Sequence, residues 1–537
     1  MSDEALFGGT AIMKNIYNTM KFFRNKYSAF IALSFPLLMN IIVEIFAKRK
    51  LLVLALSMGE FTISSLASKI LFLELCHILY NILCNIAVML VSILLFCLIG
   101  GNRMLSIGYV ICYILIISVP SLLNFINFML FNTAIDVSSI GVILNSDVAE
   151  SIGFIKERIN AKIIIVLLSY AIFAIEPLFV KYEKPVPHKK QYCIITVIIF
   201  VITLSVMESP VKTIYGAIIL QLAELKKISA MTVHKPLKGT ISRIYERKQI
   251  YVVVIGESVD RKHMSIYGYE RKTTPHFNNL KNELYMFKNV RSAFTYTSES
   301  VKNALRIRDK DCENIIHFFI DAGFKVFWFS NQGKFHFFDN QVEEIAKLSH
   351  IYKHAYTDLS NYSNAFDEKL LDYLEKALND KTSDKKVIFL HLIGSHFPLT
   401  ARYPPEFDVF KLPVSYNHKW KAEAIRLFDN SILYTDHVLN SAIEMLRKRN
   451  CCAWLLYFSD HGQDIYDTDE SKIYRVISNG SPHLYEIPFV VWVSEKYRRL
   501  NKDFIPNWDL EKEYTIDKLA YSIADLAGLD HPVIVKE

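Results

Sequence analysis

Ile250-Tyr-Val-Val-Val-Ile255-Gly256-Glu257-Ser258 is an unbroken apolar run that ends in a glycine, a carboxylate and a hydroxyl. A run this short and this apolar reads as a strand buried on both faces, because a strand with one wet face alternates. The pattern recurs. Val326–Phe329 leads into Ser-Asn-Gln at 330–332, and Val387–Leu390 leads into the segment from His391 to His396. Ala453–Phe458 leads into Ser459-Asp460-His461-Gly462, and Pro488–Val493 is a fifth run. Helix-like stretches lie between them, at Glu313–Ala322, Ala365–Leu378 and Lys421–Arg447. Strands alternating with amphipathic helices predict an α/β domain with a parallel or mostly parallel sheet over residues 249–537. Ligands in such folds gather at the carboxyl ends of the strands. The residues that close these runs are therefore the candidates for chemistry.

Upstream the sequence changes character. The chain has 537 residues, 52% hydrophobic and 21% charged, with only 18 glycines and 16 prolines. That composition excludes disorder and low-complexity architecture. The apolar excess crowds into residues 1–207. Five stretches approach the roughly 20 residues needed to cross a bilayer: Tyr27–Phe46, Ile70–Ile99, Leu105–Phe131, Ala161–Tyr182 and Tyr192–Met207. Leu51–Ser68 is also apolar but carries Glu60, so six spans is the rival count. Residues 208–248 read as a connector, in which Ile214–Ile228 has the pattern of an interfacial amphipathic helix.

Charge sets the expected orientation. Lys14, Lys21, Arg24 and Lys26 precede the first span, and Lys181, Lys184, Lys189 and Lys190 lie between the fourth and fifth. Five spans place both clusters in the cytoplasm and residues 208–537 outside, although Lys48, Arg49 and Lys50 argue the other way. The net charge of +7 lies mostly on the apolar portion and flanks its spans. It forms no stripe of the kind that binds nucleic acid, which excludes DNA or RNA as partners. Five of the eight cysteines fall in the spans, leaving Cys312, Cys451 and Cys452 in the polar part. That is no disulfide framework.

Asp460 and His461 follow a buried run directly, and Gly462 permits an abrupt turn. A carboxylate beside an imidazole at a strand end is half of a zinc site with oxygen and nitrogen ligands, and Glu257 occupies the equivalent place after another strand.

At these residues the sequence resembles a known family, the bacterial phosphoethanolamine transferases that decorate lipopolysaccharide, a branch of the alkaline phosphatase/sulfatase superfamily. The matching residues are 254–275, Val-Ile-Gly-Glu-Ser through Thr-Thr-Pro, and then Ser292-x-x-Thr295-x-Thr297-x-x-Ser300. Phe329-Ser-Asn-Gln, His391-Leu-Ile-Gly-Ser-His396, Phe428 to Asp436, Ser459-Asp-His-Gly462 and Tyr485-Glu-Ile-Pro-Phe follow in order. The resemblance implies a sulfatase-like, alkaline phosphatase-type catalytic domain behind a multi-span helical membrane domain, in the bacterial inner membrane with the catalytic domain in the periplasm. It implies that Glu257, Thr297, Asp460 and His461 hold a catalytic zinc, that Thr297 is the nucleophile, and that His396 contacts the phosphoryl group or a second, transient zinc. His483 is the candidate for one further substrate-binding histidine. Ala293 and Asn303 stand where several relatives have disulfide cysteines. The implied reaction moves phosphoethanolamine from phosphatidylethanolamine to lipopolysaccharide, on a core sugar or lipid A. A phosphoglycerol transferase or sulfatase-like hydrolase shares the same metal and nucleophile logic, and a catalytically silent membrane scaffold is the non-enzymatic alternative.

Overall fold

The computed structural model describes residues 36–41, 103–131, 161–175 and 210–231, with a few single positions among them. It then describes 239–244, 246–307, 314–332, 341–356, 366–412, 419–468, 481–500 and 509–530. The chain divides into two compact units, Met1–Ile140 with Arg158–Ile219, and Gly141–Glu157 with Leu220–Glu537.

In the first unit, α1 (Arg103–Tyr113), a π-helical turn (Ile114–Ser118) and α2 (Val119–Phe131) form one continuous rod. Within it Ile107–Leu130 is, among the described residues, the helix long and apolar enough to cross a membrane. Pro120 has no N–H to return to the turn before it, and that turn is the π segment, where Val119 N–H reaches back to the Ile114 carbonyl. Three buried polar side chains here pair with one another, as an apolar surrounding favours. Asn40 Nδ2 donates to Ser121 Oγ at 2.8 Å, and Asn124 Nδ2 donates to Asn40 Oδ1 at 3.2 Å. The apolar helix α3 (Ala161–Ile175) follows. The span expected at Tyr192–Met207, and most of Tyr27–Phe46 and Ile70–Ile99, lie outside the described residues. Helix α4 (Pro210–Met231) opens on a proline, which suits the first helical position because no intrahelical donor is lost there.

The second unit is built on a seven-stranded sheet. In chain order its strands are β1 (Gln249–Gly256), β2 (Leu284–Phe287), β3 (Lys325–Ser330), β4 (Ile351–His354), β5 (Lys385–His391), β6 (Cys452–Ser459) and β7 (Phe489–Val493). Their spatial order is β2-β7-β6-β1-β5-β3-β4. All neighbours pair in parallel except at β7, which runs antiparallel to both β6 and β2. The sheet is thus mixed but mostly parallel.

Every residue of β1 is buried, and its side chains alternate between two cores. Tyr251, Val253 and Ile255 join one core with α6 (Ile315–Asp321) and α9 (Leu519–Leu526). Ile250, Val252 and Val254 join the other with α7 (Lys369–Asn379) and α8 (Lys419–Arg447). Each such side chain contributes about 1.5–3 kcal/mol relative to exposure, so removing one face would undo the layering. Cys451 and Cys452 are free and buried within this packing. The register then decides where the chemistry sits. Ile255 is level with His391, and Gly256 with Ser459, so the residues after β1, β5 and β6 emerge side by side.

Candidate active site and metal centre

Glu257 leaves the central strand and Asp460 leaves its neighbour, and both carboxylates are fully buried. The chain can bring them together because glycines let the exits approach. Gly394, at φ +49°, lies so close to Glu257 that a Cβ would fall 2.8 Å from its carbonyl oxygen. At Gly462 a Cβ would run into the His483 carbonyl. Thr297 arrives from a third direction, as the first residue of α5 (Thr297–Ala304). Ser292 and Ser300 flank it, and their hydroxyls lie 2.6 and 2.8 Å from the Asp460 carbonyl oxygen and 2.6 Å from each other. The spaced Ser-Thr-Thr-Ser motif therefore ties the threonine helix to the end of β6.

Thr297 Oγ1 donates to Glu257 Oε2 at 2.9 Å. His461 Nε2 lies 3.4 Å from Glu257 Oε1 and 3.4 Å from Asp460 Oδ2. His461 Nδ1 is 2.8 Å from the Gly462 carbonyl oxygen. A carbonyl only accepts, so Nδ1 donates to it and Nε2 is the ring nitrogen turned to the two carboxylates. Asp460 Oδ1 accepts from the backbone N–H groups of Ser258 (3.1 Å) and His461 (2.7 Å), whereas buried Oδ2 has no hydrogen-bond partner. Two buried carboxylates and an imidazole nitrogen thus converge on one point. Burial, reinforced by the Glu257 carboxylate, pushes the Asp460 carboxyl up to about 7. Burial also opposes ionisation of Glu257, but His396 and His461 outweigh it and hold that carboxyl below its usual range. A divalent cation resolves this arrangement, and a donor set of two carboxylates, one imidazole and one hydroxyl suits zinc.

Three of the four expected ligands form a cluster able to hold a metal, and Thr297 touches one of them. His396 follows β5 and is half-buried, with Nδ1 2.8 Å from the Phe397 carbonyl oxygen. His483 is placed differently from the cluster. Its Nδ1 lies 2.5 Å from Asp260 Oδ2, in a second group where His263 Nδ1 meets Asp429 Oδ1 at 2.9 Å and His263 Nε2 meets Asp467 Oδ1 at 3.2 Å. Arg271 Nη1 also donates to Asp429 Oδ2, at 2.9 Å. Three carboxylates here face two imidazoles and a guanidinium, and Asp260, His263 and Asp467 also lie close enough together to hold a metal.

Sequence reading missed two supports of the site. Gln332 Nε2 donates to the Leu392 carbonyl at 2.6 Å and lies 3.3 Å from Glu257 Oε2. Buried Asp367 accepts from Ile393 N–H, Gly394 N–H and Asn331 Nδ2, and so holds the loop after β5 against Glu257. Gln332 was visible as part of Ser-Asn-Gln after β3. Asp367 stands just before α7 with no local signal.

A family profile described as "Sulfatase" matches residues 249–529. The chain belongs to the sulfatase family. Among curated relatives, phosphoethanolamine transferase EptC of Escherichia coli (strain K12) is 32% identical over 297 residues, 52% of this chain and 51% of that protein. The chain therefore matches about half the length of that relative. Phosphoethanolamine transferase EptA of Helicobacter pylori is 28% identical over 441 residues, covering 76% of this chain and 81% of the relative. The solved periplasmic domain of E. coli EptC in complex with Zn is 30% identical with a TM-score of 0.52, covering 55% of this chain and 87% of that domain. The integral membrane enzyme EptA of Neisseria meningitidis superposes with a TM-score of 0.63 over 93% of this chain and 95% of its own, at 18% identity. This last likeness is one of fold. Residues of this sulfatase-family chain fit a metal, and a solved relative's domain holds zinc.

Proposed function

We propose that this protein is a multi-pass inner-membrane phosphoethanolamine transferase with its catalytic domain in the periplasm. It takes phosphoethanolamine from phosphatidylethanolamine and places it on lipopolysaccharide, at a core sugar or lipid A. The observation that carries the proposal is the Thr297 hydroxyl, 2.9 Å from Glu257, at the mouth of the Glu257–Asp460–His461 cluster. The transferases among its relatives support it.

Glu257, Thr297, Asp460 and His461 would hold zinc. When bound, the ion makes the threonine hydroxyl acidic enough to ionise near neutral pH and offsets charge on the phosphoryl oxygens. The chain's own residues do the rest. Glu257 orients the Thr297 oxygen. The first N–H groups of α5, which helical geometry leaves without intrahelical partners, would meet the oxygens of a phosphoryl group held at Thr297, the residue that opens the helix. The Thr297 oxygen, already ionised with its proton released to solvent, attacks the donor phosphorus, the bond to the diacylglycerol oxygen breaks, and His396 gives that oxygen a proton. The acceptor oxygen then attacks the same phosphorus, the bond to Thr297 breaks, and His396 takes the acceptor's proton. The Phe397 carbonyl fixes His396 Nδ1 as a donor, which assigns these transfers to Nε2. We assign His483 to bracing, through Asp260, the segment that leaves β1 after Glu257.

Mass spectrometry of lipopolysaccharide from cells with and without the protein tests the proposal. A protein-dependent increment of one phosphoethanolamine, located by fragmentation, is expected. A phosphoglycerol increment, or none, would refute it.

A further inference from the structure

Ser258 has a φ of 59°, in the left-handed region where an L side chain is strained and glycine is not. It is fully buried at the exit of β1. Glycine would satisfy this backbone without strain, so the serine has to be explained by what its atoms reach. Its Oγ donates to Glu257 Oε1 at 2.6 Å. Its N–H, turned by the left-handed backbone, donates to Asp460 Oδ1 at 3.1 Å. The next residue continues the stitch, with Val259 N–H donating to Ser459 Oγ at 2.9 Å. One residue thus holds its neighbour's carboxylate and, from another strand, a carboxylate 202 positions further along the chain.

The geometry points to Ser258 as a positioning residue of the metal centre, which sets the rotation of both the Glu257 and Asp460 carboxylates. This inference rests on reading those residues as metal ligands. With Ser258 on Glu257 Oε1, Oε2 is turned to Thr297. With Ser258 on Asp460 Oδ1, unpartnered Oδ2 is left facing His461 Nε2. Without the hydroxyl, Glu257 Oε1 loses its donor, the carboxylate is held only through Oε2 by Thr297 and Gln332, and more of its ordering falls to the ion. Loss of such an outer partner lowers metal affinity by about 10- to 100-fold.

The test uses the full-length protein in detergent, with zinc affinity measured by competition against a chromophoric chelator. Ser258→Ala and Ser258→Gly should both bind zinc about 10- to 100-fold more weakly than wild type. The cobalt-loaded forms should show shifted absorption bands. Ser258→Thr keeps the hydroxyl and should retain affinity close to wild type, while unfolding at a lower temperature because a β-branched residue tolerates this φ poorly. Ser258→Gly sheds the strain and should melt no lower than Ser258→Ala, so it answers the question if the alanine variant does not fold. Wild-type affinity in both the alanine and glycine variants, with zinc lost in His461→Ala, overturns the role of Ser258 alone. Zinc retained in His461→Ala shows that the ligand assignment is wrong, and the role of Ser258 falls with it.

Discussion

Thr297 and Thr295 stand two positions apart and differ in what their hydroxyls reach. Thr297 Oγ1 lies on Glu257, whereas the Thr295 hydroxyl is buried with no hydrogen-bond partner. Thr297→Ala is expected to keep the fold and lower transfer by about three orders of magnitude or more, since removing a nucleophile leaves only binding and electrostatics. Thr295→Ala should stay within about tenfold of wild type, because it removes no group from the reacting atoms. Turnover of a labelled lipid donor measures both, and equal losses would contradict the assignment. Glu257, Asp460 and His461 were legible as candidates because each follows an apolar run, whereas Thr297, which opens α5, was singled out by the family resemblance. Ser258 was not legible in this role. Gly-Glu-Ser states neither the sign of a backbone angle nor a contact with a carboxylate 202 positions away.

At the scale of elements, the site depends on loops pressed together. Gly462→Ala puts a methyl group into the His483 carbonyl, which is backbone and has no rotamer to escape by. The expected cost is about 1–3 kcal/mol of stability, typical of overpacking, together with reduced zinc content in the folded fraction. A variant with wild-type melting temperature and zinc would contradict this. The buried His263 joins the exit of β1 to α8 through Asp429 and to the loop after β6 through Asp467, with Tyr269 and Phe428 packed on its ring. Burial opposes its charge, but Asp429 and Asp467 prevail and lift its pKa to about 10. A folded value above the ordinary one means the stabilisation is complete below about pH 6.5 and is lost as pH rises through about 10. The melting temperature should fall across that window, and His263→Ala should melt lower at pH 6.5 with a flatter slope. Parallel slopes would contradict it. The five apolar runs named from sequence are strands, because burial on both faces leaves an unbroken apolar signature. Leu284–Phe287 and Ile351–His354 were missed, being short edge strands with half-buried faces. The reversal of β7 was also hidden, since an all-apolar strand reads the same in either direction.

For the whole molecule, the five-span proposal sets the basic cluster Lys181–Lys190 in the cytoplasm and, through the span after it, residues 208–537 outside. A reporter that folds only outside, fused after Glu537, should be active, and an active cytoplasmic reporter at the same point would overturn the five-span arrangement. That arrangement matters to mechanism. Two lipid-borne substrates are more easily served in turn than together, and a covalent carrier on the enzyme allows one site to meet each of them. The central claim is therefore that Thr297 carries phosphoethanolamine between donor and acceptor. Peptide mapping by mass spectrometry after incubation with phosphatidylethanolamine alone tests it most directly. The added mass of one phosphoethanolamine on the Thr297 side chain is the predicted result. The mass on Thr295 or Ser258, or no adduct in protein that still completes transfer, would contradict the account.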